Sequence, residues 1–170
     1  DNKCFSISPA ESAAMDPQQR MLLEVGYEAL HASSLGKVQL MSSLTGVFVG
    51  IAAMDFGEVI KSTPYANSVY SATGSTLSVA SGRISYALGL MGPCVSYDTA
   101  CSAALAACHA ALRAMQNDEC VDGLVTGASV MLLPGTAFAF ATAGMTSANG
   151  HCHTFDSRAD GYCRGEAICG

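Results

Sequence analysis

The sequence predicts an α/β fold with a mainly parallel sheet, and three observations carry that prediction. Runs of β-type residues occur at Thr45–Ile51, Cys94–Asp98 and Val121–Met131. Between them lie segments with helical caps and helical apolar spacing, the alternation that joins parallel strands through crossover helices. The first run, Thr45-Gly46-Val47-Phe48-Val49-Gly50-Ile51, is apolar throughout and bounded by glycine, as expected of a strand covered on both faces.

Each element has its own justification. Ser8-Pro9-Ala10-Glu11 is a compact helix start, with a capping Ser, Pro at the first helical position and Glu three residues after the cap. Asp16-Pro17-Gln18-Gln19 repeats that logic and opens a helix through about Leu30, whose Leu22, Val25, Ala29 and Leu23, Leu30 recur at helical spacing. Within it, DPQQR reads as a cap followed by an Arg that pairs with a neighbouring backbone or carboxylate. From Ala52 to Thr73 the pattern is lost, apart from a short helix around Phe56–Lys61. Gly74–Leu88 reads as one helix ended by Gly89, with Ser78, Ala80, Ser81 and Gly82 making a small-residue side suited to packing on another helix. The strand at 94–98 leads into a helix to about Gln116, then a turn at Asn117-Asp118-Glu119. In the following strand, Gly123 and Gly127 allow close approach of that helix. A helix at Thr136–Ala143 places Phe138 and Phe140 toward an apolar space, and Gly161–Gly165 reads as a strand-like close.

Composition excludes several function classes. Half of the 170 residues are hydrophobic and 13% are charged, so the chain can build a core and is not a disordered one. A net charge of −6 without a Lys/Arg cluster argues against a nucleic-acid partner. No apolar run is long enough for a membrane span, and the N-terminus lacks a signal-peptide pattern. Of the eight cysteines, five (Cys4, Cys94, Cys101, Cys108, Cys120) fall in apolar or helical contexts. Their scattered spacing points to reduced thiols in a cytoplasmic protein. Cys152, His153, Cys163 and Cys169 match no paired zinc-knuckle spacing, so no metal is expected.

The stretch DTACSAAL at 98–105 carries the chemistry. Asp98-Thr99 are capping types placed where strand composition gives way to helix composition, which puts Cys101 in the first turn of the helix. The first N–H groups of a helix lack internal partners and the macrodipole adds positive charge there. A thiolate is favoured at such a place, and neighbouring backbone N–H groups can hold an oxyanion when a thioester carbonyl is attacked. A buried structural cysteine is the alternative reading. His109, eight residues on, lies more than two helical turns away and cannot serve Cys101 as a base.

VSYDTACSAAL resembles the nucleophile motif of β-ketoacyl synthases (ketosynthases). DPQQRMLLEVGYEAL at 16–30, SGRISYALGLMGP at 81–93 and GMTSANGHCHTFDSRADGYCRGEA at 144–167 resemble further blocks of that family in the same order. The type resembled is the ketosynthase of a type I polyketide synthase. It implies the first half of a thiolase-like α-β-α-β-α layered sandwich, with residues 1–170 as a partial ketosynthase N-terminal domain. It implies Cys101 as nucleophile and backbone N–H oxyanion donor, and Phe140 and Met145 as substrate-binding residues, with core packing the alternative for Phe140. Asp156, Asp160 and Glu166 take a supporting role. His153 and Ala167 depart from the Lys or Arg and the Gly usual at their positions. The implied reaction loads an acyl group from an acyl carrier protein onto Cys101 and condenses it with a malonyl-type extender. Substrates ride on phosphopantetheine, no bound cofactor is expected, and the enzyme acts as a homodimer. No histidine here has the context of the family's two catalytic histidines, so the chain alone is expected not to condense. The alternatives are a non-condensing acyltransferase, a thiolase-superfamily relative, and a non-catalytic dimerisation scaffold.

Overall fold

A computed structural model of the chain describes residues 2–52 and 55–170. The chain divides into two compact units, one of residues 1–130 with 167–170, the other of residues 131–166. The first holds a four-stranded sheet of order β2-β1-β3-β4, built from β1 (Thr45–Ile51), β2 (Cys94–Tyr97), β3 (Asp122–Ser129) and β4 (Ala167–Cys169). β1 pairs in parallel with both β2 and β3, and β4 adds antiparallel to β3. The mainly parallel sheet follows from the helical crossovers, which return each strand in the same direction.

Helix α1 (Pro9–Ala13) is capped by Ser8, whose hydroxyl accepts the Glu11 N–H at 3.1 Å. Helix α2 (Pro17–Ala32) is capped by Asp16, whose carboxylate accepts the Gln18 N–H at 2.7 Å. A tertiary pair that the sequence did not single out is formed by Arg83. Arg83 Nε donates to Gln19 Oε1 at 2.8 Å and Nη1 pairs with Glu11 at 2.5 Å, while Arg20 stays exposed and acts on Asp16 through its charge.

The expected helix at 74–88 is two helices, α5 (Ser71–Ser75) and α6 (Ser78–Leu88), separated by an extended Thr76. The break has a tertiary cause. Gln19 Nε2 donates to the carbonyls of Thr73 and Thr76, and the Asp16 N–H donates to Gly74 O. The Thr73 and Gly74 carbonyls are committed to Gln19 and Asp16, while Thr76 O also accepts the Val79 N–H at 3.2 Å and opens the next helix. The small side of α6 meets a strand as well as α2: Ser96 of β2 donates its hydroxyl to Ser81 at 3.0 Å. Gly89 ends α6 in the left-handed conformation, as expected.

The two sheet faces of the first unit bury different clusters. Val47, Val49, Ile51, Leu124 and Ala128 join Leu22, Leu23, Leu30, Ile84 and Leu88 of α2 and α6. Phe48 on the opposite face packs with Ala107, Ala111 and Ala114 of α7 (Ala103–Gln116). Around Phe48 that face is glycine: Gly46 and Gly50 of β1 pair with Gly123 and Gly127 of β3. A Cβ on Gly50 would lie 2.4 Å from the Ala104 nitrogen, and one on Gly127 would lie 3.2 Å from the Ala104 Cβ. The buried stripe Ala103, Ala107, Ala111, Ala114 therefore rests on nearly bare backbone.

One further expectation is corrected. The chain near Gly161–Gly165 contributes only an isolated bridge between Thr146 and Tyr162, and the strand is β4 instead, where Ile168 reaches the main core. Among the cysteines placed in apolar or helical contexts only Cys120 is buried; Cys4, Cys94, Cys101 and Cys108 are exposed, because Cys94 lies on an edge strand and Cys108 on the outer side of α7.

Candidate active site

Strand β2 ends at Tyr97 and α7 begins at Ala103, so Cys101 lies two residues ahead of the helix and not within its first turn. The expected cap does something else. Asp98 Oδ1 accepts the Ala100 N–H at 3.0 Å, closing an Asx turn instead of capping α7. Ala100 then takes φ +54°, the left-handed region in which an L side chain is strained. This reversal delays the helix and turns the next residue, Cys101, to the outside.

Both flanks of Cys101 are tied down. Ser102 Oγ donates to Thr99 O at 2.8 Å and to Thr99 Oγ1 at 2.9 Å, and the Ala103 N–H donates to Ala100 O at 3.1 Å. Ser102, the residue at the helix cap position, thus spends its hydroxyl on the turn. The Cys101 side chain is exposed, and among the described residues its N–H donates to no backbone carbonyl. A sulfur and an available N–H are presented together at the tip of a braced turn, which can attack a carbonyl carbon and hold its oxygen. The backbone below them is fixed by the contact of Gly50 with Ala103 and Ala104.

The second unit, residues 131–166, holds the other two candidates. Helix α8 (Gly135–Thr142) carries Phe140, whose ring lies under the Arg164 guanidinium, 4.6 Å from carbon to centroid. Arg164 Nε also points at the Met131 sulfur at 3.0 Å, and Glu166 Oε1 accepts the Met131 N–H at 2.5 Å. The Met145 N–H donates to Phe140 O at 3.0 Å, so the end of α8 brings Phe140 and Met145 together, with Met145 47% exposed. Phe138 is 68% exposed and faces no apolar space within its unit. Asp156 is held by Arg158 through bonds of 2.8–3.0 Å, and that guanidinium keeps its carboxyl below the usual range. Asp160 is likewise lowered, chiefly by a hydrogen bond from Ser147. Neither carboxylate has the raised affinity for protons of a general acid.

Sequence reasoning missed Ala100 and Arg164. A left-handed Ala carries no sequence signal of its own, whereas the basic residue in GYCRGE was visible without its aromatic partner.

The architecture and the braced cysteine turn define a member of the thiolase-like α/β class. Residues 1–170 match the family model described as beta-ketoacyl synthase, N-terminal domain, and the chain belongs to that family. It is similar to the ketosynthase from module 6 of the bacillaene synthase of Bacillus subtilis 168, with a TM-score of 0.89 and 34% identity over 99% of this chain and 28% of that one. Among curated relatives it is 43% identical over 166 residues to a mycocerosic acid synthase-like polyketide synthase of Mycolicibacterium smegmatis, covering 98% of this chain and 8% of that protein. It is 44% identical over 158 residues to the erythronolide synthase EryA3 of Saccharopolyspora erythraea, covering 93% and 5% respectively. The chain therefore spans a small part of the relatives it matches. Among the described residues no helix is long and apolar enough to cross a membrane.

Proposed function

We propose that this chain is the nucleophile-bearing N-terminal part of a polyketide synthase ketosynthase, a transferase. The observation that carries the reading is Cys101 exposed at a braced, left-handed turn between β2 and α7. In the first stage the Cys101 sulfur attacks the thioester carbonyl of an acyl group borne on the phosphopantetheine of an acyl carrier protein. The new S–C bond forms, the oxyanion is held by the Cys101 N–H, and collapse breaks the bond to the carrier thiol, which leaves with a proton. In the second stage a malonyl-type extender loses carbon dioxide. Its enolate carbon attacks the acyl carbon, and Cys101 leaves as thiolate. The residues that assist decarboxylation lie outside those described above.

In the same reading Phe140 and Met145, joined at the end of α8, border the acyl chain, and Glu166 supports that wall through Met131. The partners are acyl carrier protein and a second copy of the subunit. The edge position of β2, with Cys94 and Val95 exposed, supports a homodimer formed along that strand. The outer side of α7, where Leu105 is 73% exposed, supports a layered sandwich in which a second half covers this helix. Eight free thiols favour a cytoplasmic setting.

The test is acyl loading from a carrier-bound thioester, read by mass spectrometry of the intact protein. Cys101→Ala abolishes loading, whereas Cys108→Ala, exposed on α7, leaves it. Equal losses in the two variants overturn the assignment of the nucleophile.

A further inference from the structure

Cys152 and Cys163 are exposed thiols in the second unit that no step above uses. They lie eleven residues apart, and the Cys163 N–H donates to Cys152 Sγ at 3.0 Å. The same sulfur lies 3.9 Å from the Cys163 carbonyl oxygen, so it sits over the backbone of the other cysteine. Bonded through that contact, the two Cα atoms are within about 7 Å of one another, close to the span of a disulfide. The segments carrying them are fastened next door: the Ser147 N–H donates to Tyr162 O at 3.0 Å, and the Tyr162 N–H donates to Met145 O at 3.1 Å. What separates this pair from a bridge is the Cys163 side chain, whose Sγ points to the Arg164 carbonyl at 3.5 Å. An exposed side chain changes that by rotation about χ1. The His151 and His153 rings, 5.8 Å apart, flank Cys152, yet among the described residues no three His, Cys, Asp or Glu groups converge to hold a metal ion.

We propose that Cys152 and Cys163 are a redox-active pair, a modification site that a hydroperoxide converts to an intramolecular disulfide. Cys152 as thiolate attacks the terminal oxygen of the hydroperoxide; the S–O bond forms, the O–O bond breaks, and the alcohol or water leaves with a proton. The sulfenic acid is held against the Cys163 N–H. The Cys163 sulfur then attacks the oxidised sulfur, the S–S bond forms, and the S–O oxygen departs as water. Two thiols supply two electrons, and one peroxide is reduced. The bridge ties the turn that follows Met145 to the segment that precedes Arg164. It does not depend on the ketosynthase reading.

The experiment treats the purified protein with hydrogen peroxide, alkylates the remaining thiols and maps the peptides without reduction. The expected result is one linked pair joining the Cys152 and Cys163 peptides, lighter by two hydrogens and reversed by dithiothreitol. In Cys163→Ser the bridge is lost and dimedone labels Cys152 instead. Two results overturn the proposal: both cysteines fully alkylated while Cys101 is oxidised, or Cys152 linked to any other cysteine. Because the first measurement uses the unaltered protein, it stands whatever the folding of the variant.

Discussion

Ala100 holds a conformation that costs an L residue about 1–2 kcal/mol, and it does so one residue before the nucleophile candidate. Glycine removes that strain but loses about 0.5–1 kcal/mol to greater freedom in the unfolded chain. Ala100→Gly is therefore expected to raise unfolding stability by up to about 1 kcal/mol, read from chemical denaturation. Ala100→Val should lower stability by more than about 1 kcal/mol, since a β-branched side chain is worse placed at positive φ. A second residue with its own pH signature is Asp16. Burial is the largest influence and pushes its carboxyl above the ordinary 3.8, against the lowering effects of the Gln18 bonds and of the Arg20 charge. The raised affinity gives the folded state more protons than the unfolded state above pH 3.8, so this group's contribution is complete below that pH and is lost as pH rises. Asp16→Asn keeps a good cap and removes that dependence. Its stability relative to the wild type should grow from about pH 4 toward neutrality in paired urea titrations.

At the scale of elements, local chemistry was legible and tertiary capture was not. Ser8 and Asp16 announce their helices because a cap is a contact with residues two or three positions on. The continuous apolar run at 45–51 announces β1 because burial on both faces leaves no alternation. Gly74–Leu88 looked continuous because nothing within it ends a helix; the carbonyls that break it are taken by Asp16 and Gln19, more than fifty residues away. Asp98 was recognised as a capping residue, but it caps the turn at Ala100, and the helix starts later. The candidate cysteine stands in DTACS, and its offset from the helix follows from the backbone angle at Ala100. The glycines offer a direct check on packing. Gly50→Ala would bring a Cβ to 2.4 Å from the Ala104 nitrogen and should destabilise by about 1–3 kcal/mol in thermal or urea unfolding. Gly82→Ala lies inside α6 with nothing within 4 Å of the added carbon, and should stabilise by about 0.5–1 kcal/mol in the same assay.

At the scale of the whole molecule, β2 forms an edge of the first unit's sheet, unpaired among the described residues. Its exposed Val95 would lie in the proposed subunit contact. Val95→Asp places charge on that edge and should shift the protein from dimer to monomer in sedimentation velocity, with the far-ultraviolet spectrum retained. An unchanged sedimentation coefficient would remove β2 from the interface. The alternation of strands and helices made the parallel sheet legible at this scale, whereas the antiparallel β4 was displaced from its expected place. Gly161 and Gly165 offer no side chain to pack, while Ile168 buries against the core and draws the strand to itself.

The paired glycines under α7 have one more consequence. Methyl groups resting on bare backbone leave no long side chain that could swing to a new rotamer, so the distance from the sheet to the cysteine turn behaves as a hard stop. Variation beside that turn is then channelled to the outer side of α7, where side chains can be exchanged without moving this floor.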